Sequence, residues 1–319
     1  MNFKGHYNIR RFKYLHKDLT NSGFVDYEGP EKIKKTGCFY GDQLNFYIDT
    51  SDGINEDLQI YEYCGRILKV IEDSAGKPFL FFKSAHSPKW SSNIAKLAEE
   101  NGGKVLPFFK WSFNDNFYSY LLPNKNFLLS QKSEGKQVHD VGMFAGLDPY
   151  AYPNPSKYNN LIGWGDHETF GWSTPAWAGF PIDTGTQPIH TRKELFDTIN
   201  NSRFDLLHAS LSYKEYINYS LKCKTILNPP GIGEYTSRMM DQCCLGNCII
   251  LRKTSYDQGN SWKDYLPEVD FKKDGWEDEF QKIIDAREEW CEKARDYYEN
   301  YWSSCAIIEY LTAELLKRV

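Results

Sequence analysis

Apolar positions along this chain fall into two stretches of alternating strand-like and helix-like periodicity. In the first, "NFYIDTSD" at 45–52 predicts a strand with a polar tip, and "NEDLQIYEYCGRILKVIED" at 55–73 predicts the amphipathic helix that follows it. "PFLFFKS" at 78–84 is a continuous apolar run suited to a buried strand. "SSNIAKLAEENGG" then predicts a helix with serine at its start and glycine at its stop, and "KVLPFF" another strand. Residues 1–36 are polar and aromatic-rich and predict no element, and "KSEGKQ" at 132–137 is the best candidate for a linker.

The alternation restarts with "DVGMFAGL" at 140–147, a strand, followed by a Gly-, Pro- and Trp-rich passage over 148–190 that reads mostly as loop. Next come "RKELFDTINNS" (helix), "FDLLHA" (strand), "SYKEYINYSLKCK" (helix, with Ser212 as N-cap), "TILNPP" (strand), "EYTSRMMDQCCLG" (helix) and "NCIILRK" (strand). From Trp276 to Val319 the pattern is helical, with two helices expected. Strand-helix repeats of this kind imply parallel sheets with right-handed crossovers. The expected fold class is therefore α/β, two Rossmann-like domains covering 1–135 and 136–319, the second ending in helices.

A length of 319 residues suits two such domains. With 41% hydrophobic and 25% charged residues the composition is that of an ordinary globular protein, and a net charge of -5 argues against nucleic acid as the main partner. No apolar run is long enough to span a bilayer and "MNFKGHYNIRRFKYLHKDL" lacks the apolar region of a signal peptide, so a cytoplasmic setting is expected. Of eight cysteines only Cys243, Cys244 and Cys248 cluster, and "CCLGNC" is not zinc-ligand spacing; buried thiols are expected, and no metal.

The densest chemistry lies in "LNPPGIGEYTSRMMDQCCLGNCII" at 227–250. A turn between a strand and a helix offers unpaired N–H groups and the positive end of the helix dipole, both of which favour a phosphate. Gly231 and Gly233 allow close backbone approach, and Thr236 and Ser237 supply hydroxyls. Arg238 can fork onto phosphate oxygens, and Asp241, three residues on, shares its helical face and can orient it or accept from a ribose hydroxyl. Glu234 can accept from a sugar hydroxyl; it equally suits a helix's first turn as a favourable acid.

Residues 141–300, most sharply "NPPGIGEYTSRMMDQCCLGNCIIL" with "SWKDYLPEVDF" behind it, resemble the C-terminal domain of GT-B glycosyltransferases, nearest to the exostosin-like and CAP10-like groups. The resemblance implies two domains facing a central cleft and transfer of a sugar from a nucleotide-diphosphate sugar to a hydroxyl of a glycan or glycoconjugate, with inversion. Asp-x-Asp, the metal-holding pair of GT-A enzymes, is absent, as are a Walker A motif and a complete G-x-G-x-x-G, so transfer without a metal is the better fit. An inverting transferase needs a base for the acceptor hydroxyl. Asp52, then Asp49, at the end of the first strand of "YIDTSDG", and His86 in "KSAHSP" are the candidates; either aspartate can instead cap the following helix. Trp164, His167 and Trp172, with Trp177 nearby, suit stacking against a sugar, though rings in a long loop also serve to pack it. The same residues leave open a non-catalytic sugar- or nucleotide-binding protein of this form, and a sugar-nucleotide epimerase or phosphorylase.

Overall fold

The structure is a computed structural model that describes residues 2–49, 60–84, 92–108, 116–134, 137–146, 192–228, 237–253 and 262–318. Its first sheet contains β1 (Phe3–His6), β2 (Val25–Gly29), β3 (Thr36–Tyr40), β4 (Asn45–Asp49), β5 (Phe79–Ser84) and β6 (Gly103–Phe108). They lie in the order β2-β1-β3-β4-β5-β6, and only β3 runs against its neighbours. Helices α1 (Ile9–Asn21), α2 (Ile60–Ser74) and α3 (Ser92–Glu100) make the connections after β1, β4 and β5.

Strands β4 and β5 are continuous apolar runs because both of their faces are covered. Phe46, Ile48, Leu80 and Phe82 enter one core with Phe12, Leu15 and Leu19 of α1, whereas Tyr47, Phe79 and Phe81 enter another with Ile67 and Val70 of α2 and Ile94 and Ala98 of α3. The segment 1–36, for which the pattern predicts nothing, contributes β1, α1 and β2. Edge strand β2 has three exposed residues in five, so it carries no apolar run to signal a strand.

The second sheet contains β7 (His139–Gly146), β8 (Leu206–Leu211), β9 (Cys223–Asn228), β10 (Ile249–Arg252) and β11 (Glu268–Val269), all parallel, in the order β11-β10-β9-β7-β8. Its helices are α5 (Arg192–Asn200), α6 (Tyr213–Ser220), α7 (Ser237–Cys244), α8 (Trp276–Asp285) and α9 (Arg287–Tyr297), while α4 (Leu122–Glu134), entered through a π-helical turn over Phe117–Leu121, lies between the two sheets in sequence. Along β10, Ile249 and Leu251 point to the α6 and α7 side and Ile250 to the α5 and α8 side, the period-two alternation of a strand buried on both faces. Two Rossmann-like α/β units are therefore present, as the sequence pattern implies.

Two elements depart from expectation. Lys132 belongs to the last turn of α4, not to a linker, and its buried ammonium donates to the carbonyls of Gly246 and Leu245 at the end of α7. The C-terminal region holds three helices instead of two. After a second π-helical turn, Tyr298–Trp302, Ser303 caps α10 (Ser304–Leu316), which packs on α1. Tyr310 of α10 donates to the Pro107 carbonyl of β6 at 2.8 Å, so the end of the chain lies on the first sheet.

The first unit also holds a buried ion pair. Asp49 is fully buried and its Oδ1 accepts from Arg66 Nη1 at 2.7 Å. Removing one member of such a pair leaves the other charged and stranded. Arg66→Met is expected to cost about 3–5 kcal/mol, and the double variant Asp49→Leu/Arg66→Met distinctly less. Denaturant unfolding of wild type and both variants checks this; equal losses would show that the pair is not the source of the penalty.

Candidate functional site

Numbered within the second sheet, the strand order is 2-1-3-4-5, the flavodoxin-like arrangement. In this arrangement the chain passes to opposite sides of the sheet after its first and third strands, and ligands bind in the crevice outside the carboxyl ends of those two strands. Here they are β7 and β9. The Trp-rich passage follows β7, and the turn containing Gly231 and Gly233 follows β9. The two segments that the sequence singles out for sugar and diphosphate thus depart from adjacent strand ends, which no local pattern reveals.

Helix α7 is fixed at the C-terminal end of its eight residues. At its C-terminus Gly246 takes φ +58, its N–H bonding the Cys243 carbonyl at 2.9 Å while the Asn247 N–H bonds that of Gln242 at 3.0 Å. This is the double bond pattern of a helix ended by a left-handed residue, the reason for glycine there. Lys132 adds a cation at the negative end of the dipole. Residues Met239 to Cys244 are all buried, and Arg238 is the half-buried residue at the start of the helix.

That turn carries Arg238 and Asp241 side by side with Tyr213 and Tyr216 from the start of α6. Helix α6 is itself held by a capping box: the Ser212 hydroxyl accepts from the Glu215 N–H, and the Glu215 carboxylate accepts from the Ser212 N–H at 2.9 Å. Tyr216 is satisfied, accepting from Gln242 Nε2 and donating to the Arg238 carbonyl at 3.5 Å; Gln242 accepts in turn from Asn247, which also donates to Ser220 at 3.5 Å. Four buried atoms here make no hydrogen bond: Asn247 Oδ1 within the network, and Tyr213 Oη, Arg238 Nη1 and Asp241 Oδ1 beside it. Tyr213 and Asp241 face each other closely enough to interact electrostatically, without a well-formed bond at either atom.

Burial dominates the electrostatics. It pushes the Asp241 carboxyl well above the usual carboxylate range, and Tyr213 and Arg238 pull it back only in part. Burial likewise raises both phenols, with the negative potential of Asp241 adding to it, and lowers Arg238, which Tyr216 and Asp241 support. The guanidinium of Arg238 and the hydroxyl of Tyr213 are the hydrogen-bond donors left over at this place.

Of the candidate site residues, the structure brings Arg238 and Asp241 together and starts α7 at Ser237. Gly231, Gly233, Glu234 and Thr236 lie outside the described residues, as do Trp164, His167, Trp172, Trp177, Asp52 and His86. Asp49 is described, and its burial against Arg66 makes it an internal anchor of the first sheet. Sequence reasoning missed Tyr213, Tyr216 and Gln242. Its available signal was spacing: Ser212-Tyr213 with Tyr216 repeats Ser237-Arg238 with Asp241. Cys38, Cys223, Cys243, Cys244 and Cys248 are buried free thiols, as expected. Surface depressions of about 390 Å³ along Phe271–Asp278 and about 370 Å³ between Lys263, Glu268, Lys282 and Trp290 contain none of the groups around Arg238. No helix among the described residues is long and apolar enough to cross a membrane.

No protein-family model matches this sequence, and no curated protein does. Among solved structures, the chain is similar to the crystal structure of WaaG, a glycosyltransferase involved in lipopolysaccharide biosynthesis, with 11% identity and a TM-score of 0.37 over 95% of this chain and 96% of that one. A likeness at this level carries no weight for the chemistry of the site, which rests on the topology and the side chains.

Proposed function

We propose that this protein is a glycosyltransferase of the GT-B kind, moving a sugar from a nucleotide-diphosphate sugar to a hydroxyl of a glycan or glycoconjugate. The observation that carries the reading is Arg238: a guanidinium with a buried, unpartnered Nη1 on the first turn of the helix that follows β9, at the switch point of a doubly wound sheet. The resemblance of residues 228–251 to the donor-binding turn of that family gives the ligand its chemical class.

In this reading the diphosphate lies against the first turn of α7, where backbone N–H groups, Thr236, Ser237 and Arg238 meet its oxygens, with Gly231 and Gly233 giving it room. Charge on the diphosphate grows as the bond to the anomeric carbon breaks, and a preorganised cation stabilises that charge more than it stabilises the ground state. Arg238 and the helix terminus then serve where a divalent ion serves in other transferases, so no metal is required. Asp241 orients Arg238, and Glu234 accepts from a hydroxyl of the donor sugar. Trp164, His167 and Trp172 offer faces and edges to a sugar ring. Asp52 takes the proton of the acceptor hydroxyl as it attacks with inversion, with His86 next in order; Asp49, tied to Arg66, is the least suited of the three.

Three measurements test this. Arg238→Ala is expected to weaken nucleoside-diphosphate binding in calorimetry and to cost about 2–4 kcal/mol in the transition state, the range of a lost oxyanion-type donor. Lys restores only part of it, keeping the charge without the planar fork; equal affinity of wild type and Arg238→Ala removes the reading. Chelator is expected to leave release of nucleoside diphosphate from the sugar nucleotide unchanged, and strict dependence on manganese or magnesium contradicts the assignment to Arg238. Asp52→Asn is expected to abolish transfer with donor affinity intact, whereas normal turnover moves the base to His86.

A further inference from the structure

Helices α6 and α7 open at neighbouring places on the carboxyl edge of the second sheet, after β8 and β9, and each presents a serine, then a large polar residue, then a second three positions on. Side chains three apart share a helical face, and the two faces meet. Between them the polar atoms sort into two groups. Tyr216, Gln242, Asn247 and Ser220 are bonded to one another under the turn, with Asn247 Oδ1 left over. Tyr213 Oη, Arg238 Nη1 and Asp241 Oδ1 are buried beside it without a partner, and Asp241 is only 2% exposed.

Orphaned groups of this kind are rare, because a buried polar atom without a partner forfeits its bond to water. Three on two facing turns, next to a network of mutually bonded neighbours, point to a partner that comes from outside. Its chemistry follows from theirs. A guanidinium only donates, and the phenol of Tyr213 can donate beside it. Such a set suits an anion with several acceptor oxygens in tetrahedral array.

We propose that Tyr213 joins Arg238 in a phosphate cradle, beside the Asp241 that orients Arg238, and that its hydroxyl bonds an oxygen of the bound diphosphate directly. The assignment rests on the reading of the α7 turn as a diphosphate site. It adds a residue from a different helix, so the ligand is gripped by the ends of β8 and β9 together. Phosphate binding then pins α6 to α7, and the capping box at Ser212 and Glu215 holds Tyr213 at its post.

Tyr213→Phe tests the hydroxyl alone, in calorimetric titrations of pyrophosphate and of a nucleoside diphosphate, alongside thermal melts of the empty proteins. The variant is expected to bind both ligands about tenfold more weakly, as for one lost hydrogen bond to a charged acceptor. Its empty form should melt close to wild type, since the deleted group makes no well-formed bond there. Unchanged affinities overturn the proposal. So does a lowered melting temperature of the empty variant, which gives the hydroxyl a structural bond. If wild type binds pyrophosphate but neither nucleoside diphosphates nor sugar nucleotides, and Tyr213→Phe weakens it, the cradle stands while the glycosyltransferase reading falls. If wild type binds none of them, both fall.

Discussion

The order of strands in the second sheet governs what the protein can do. Because β9 lies beside β7 while β8 lies on its far side, the connections after β7 and β9 leave in opposite directions, the arrangement that opens a crevice between two strand ends. Everything distinctive about the site follows from that crevice. The Gly-rich turn and the Trp-rich passage adjoin it in sequence, and α7 begins there with its dipole directed at whatever occupies it. The remainder of the unit keeps α7 in place, through its buried residues and the Gly246 ending with Lys132 beyond it.

Electrostatics at the site reflect the same packing. A carboxyl and a guanidinium on one turn of an exposed helix would form an ordinary screened pair worth little. Buried between α6 and α7, the Asp241 carboxyl is pushed well above the usual carboxylate range, and Arg238 and Tyr213 pull it back only in part. The first sheet shows the opposite outcome. There Asp49 and Arg66, also buried, meet at 2.7 Å and neutralise each other. A carboxylate engaged in that way holds a fold together, whereas one whose oxygen is left unpartnered is poised for a ligand.

How much of the fold and the site was legible in the sequence depended on whether the signal was local. Continuous runs such as "PFLFF" and "CIIL" announced strands, and Ser212 as an N-cap announced the start of α6. Strand β2, "VDYEG", was silent because an edge strand with one shielded end has no apolar run to show. Arg238 and Asp241 were legible since they sit on one turn. Tyr213 was not, because its meeting with Asp241, 28 positions later, exists only once β8 and β9 have found their places around β7; a tyrosine near a helix start otherwise reads as core. Asp49 was legible as an acid at a strand end, but its fate was decided by Arg66, whose reach depends on how α2 lies on the sheet. Lys132 read as part of a linker because a charged side chain that bonds the end of another helix looks, in sequence, like any surface lysine.

The return of α10 to the first sheet has a mechanical consequence. The chain crosses between the two units twice, once through the stretch containing α4 and once at the π-helical turn before Ser303, where a single extended residue separates two helices. The end of the chain is thus tied back to the unit in which it began: α10 is anchored through Tyr310 on β6, and buried residues of both sheets belong to one continuous apolar cluster, so a substitution in α10 is felt by the packing of the first sheet.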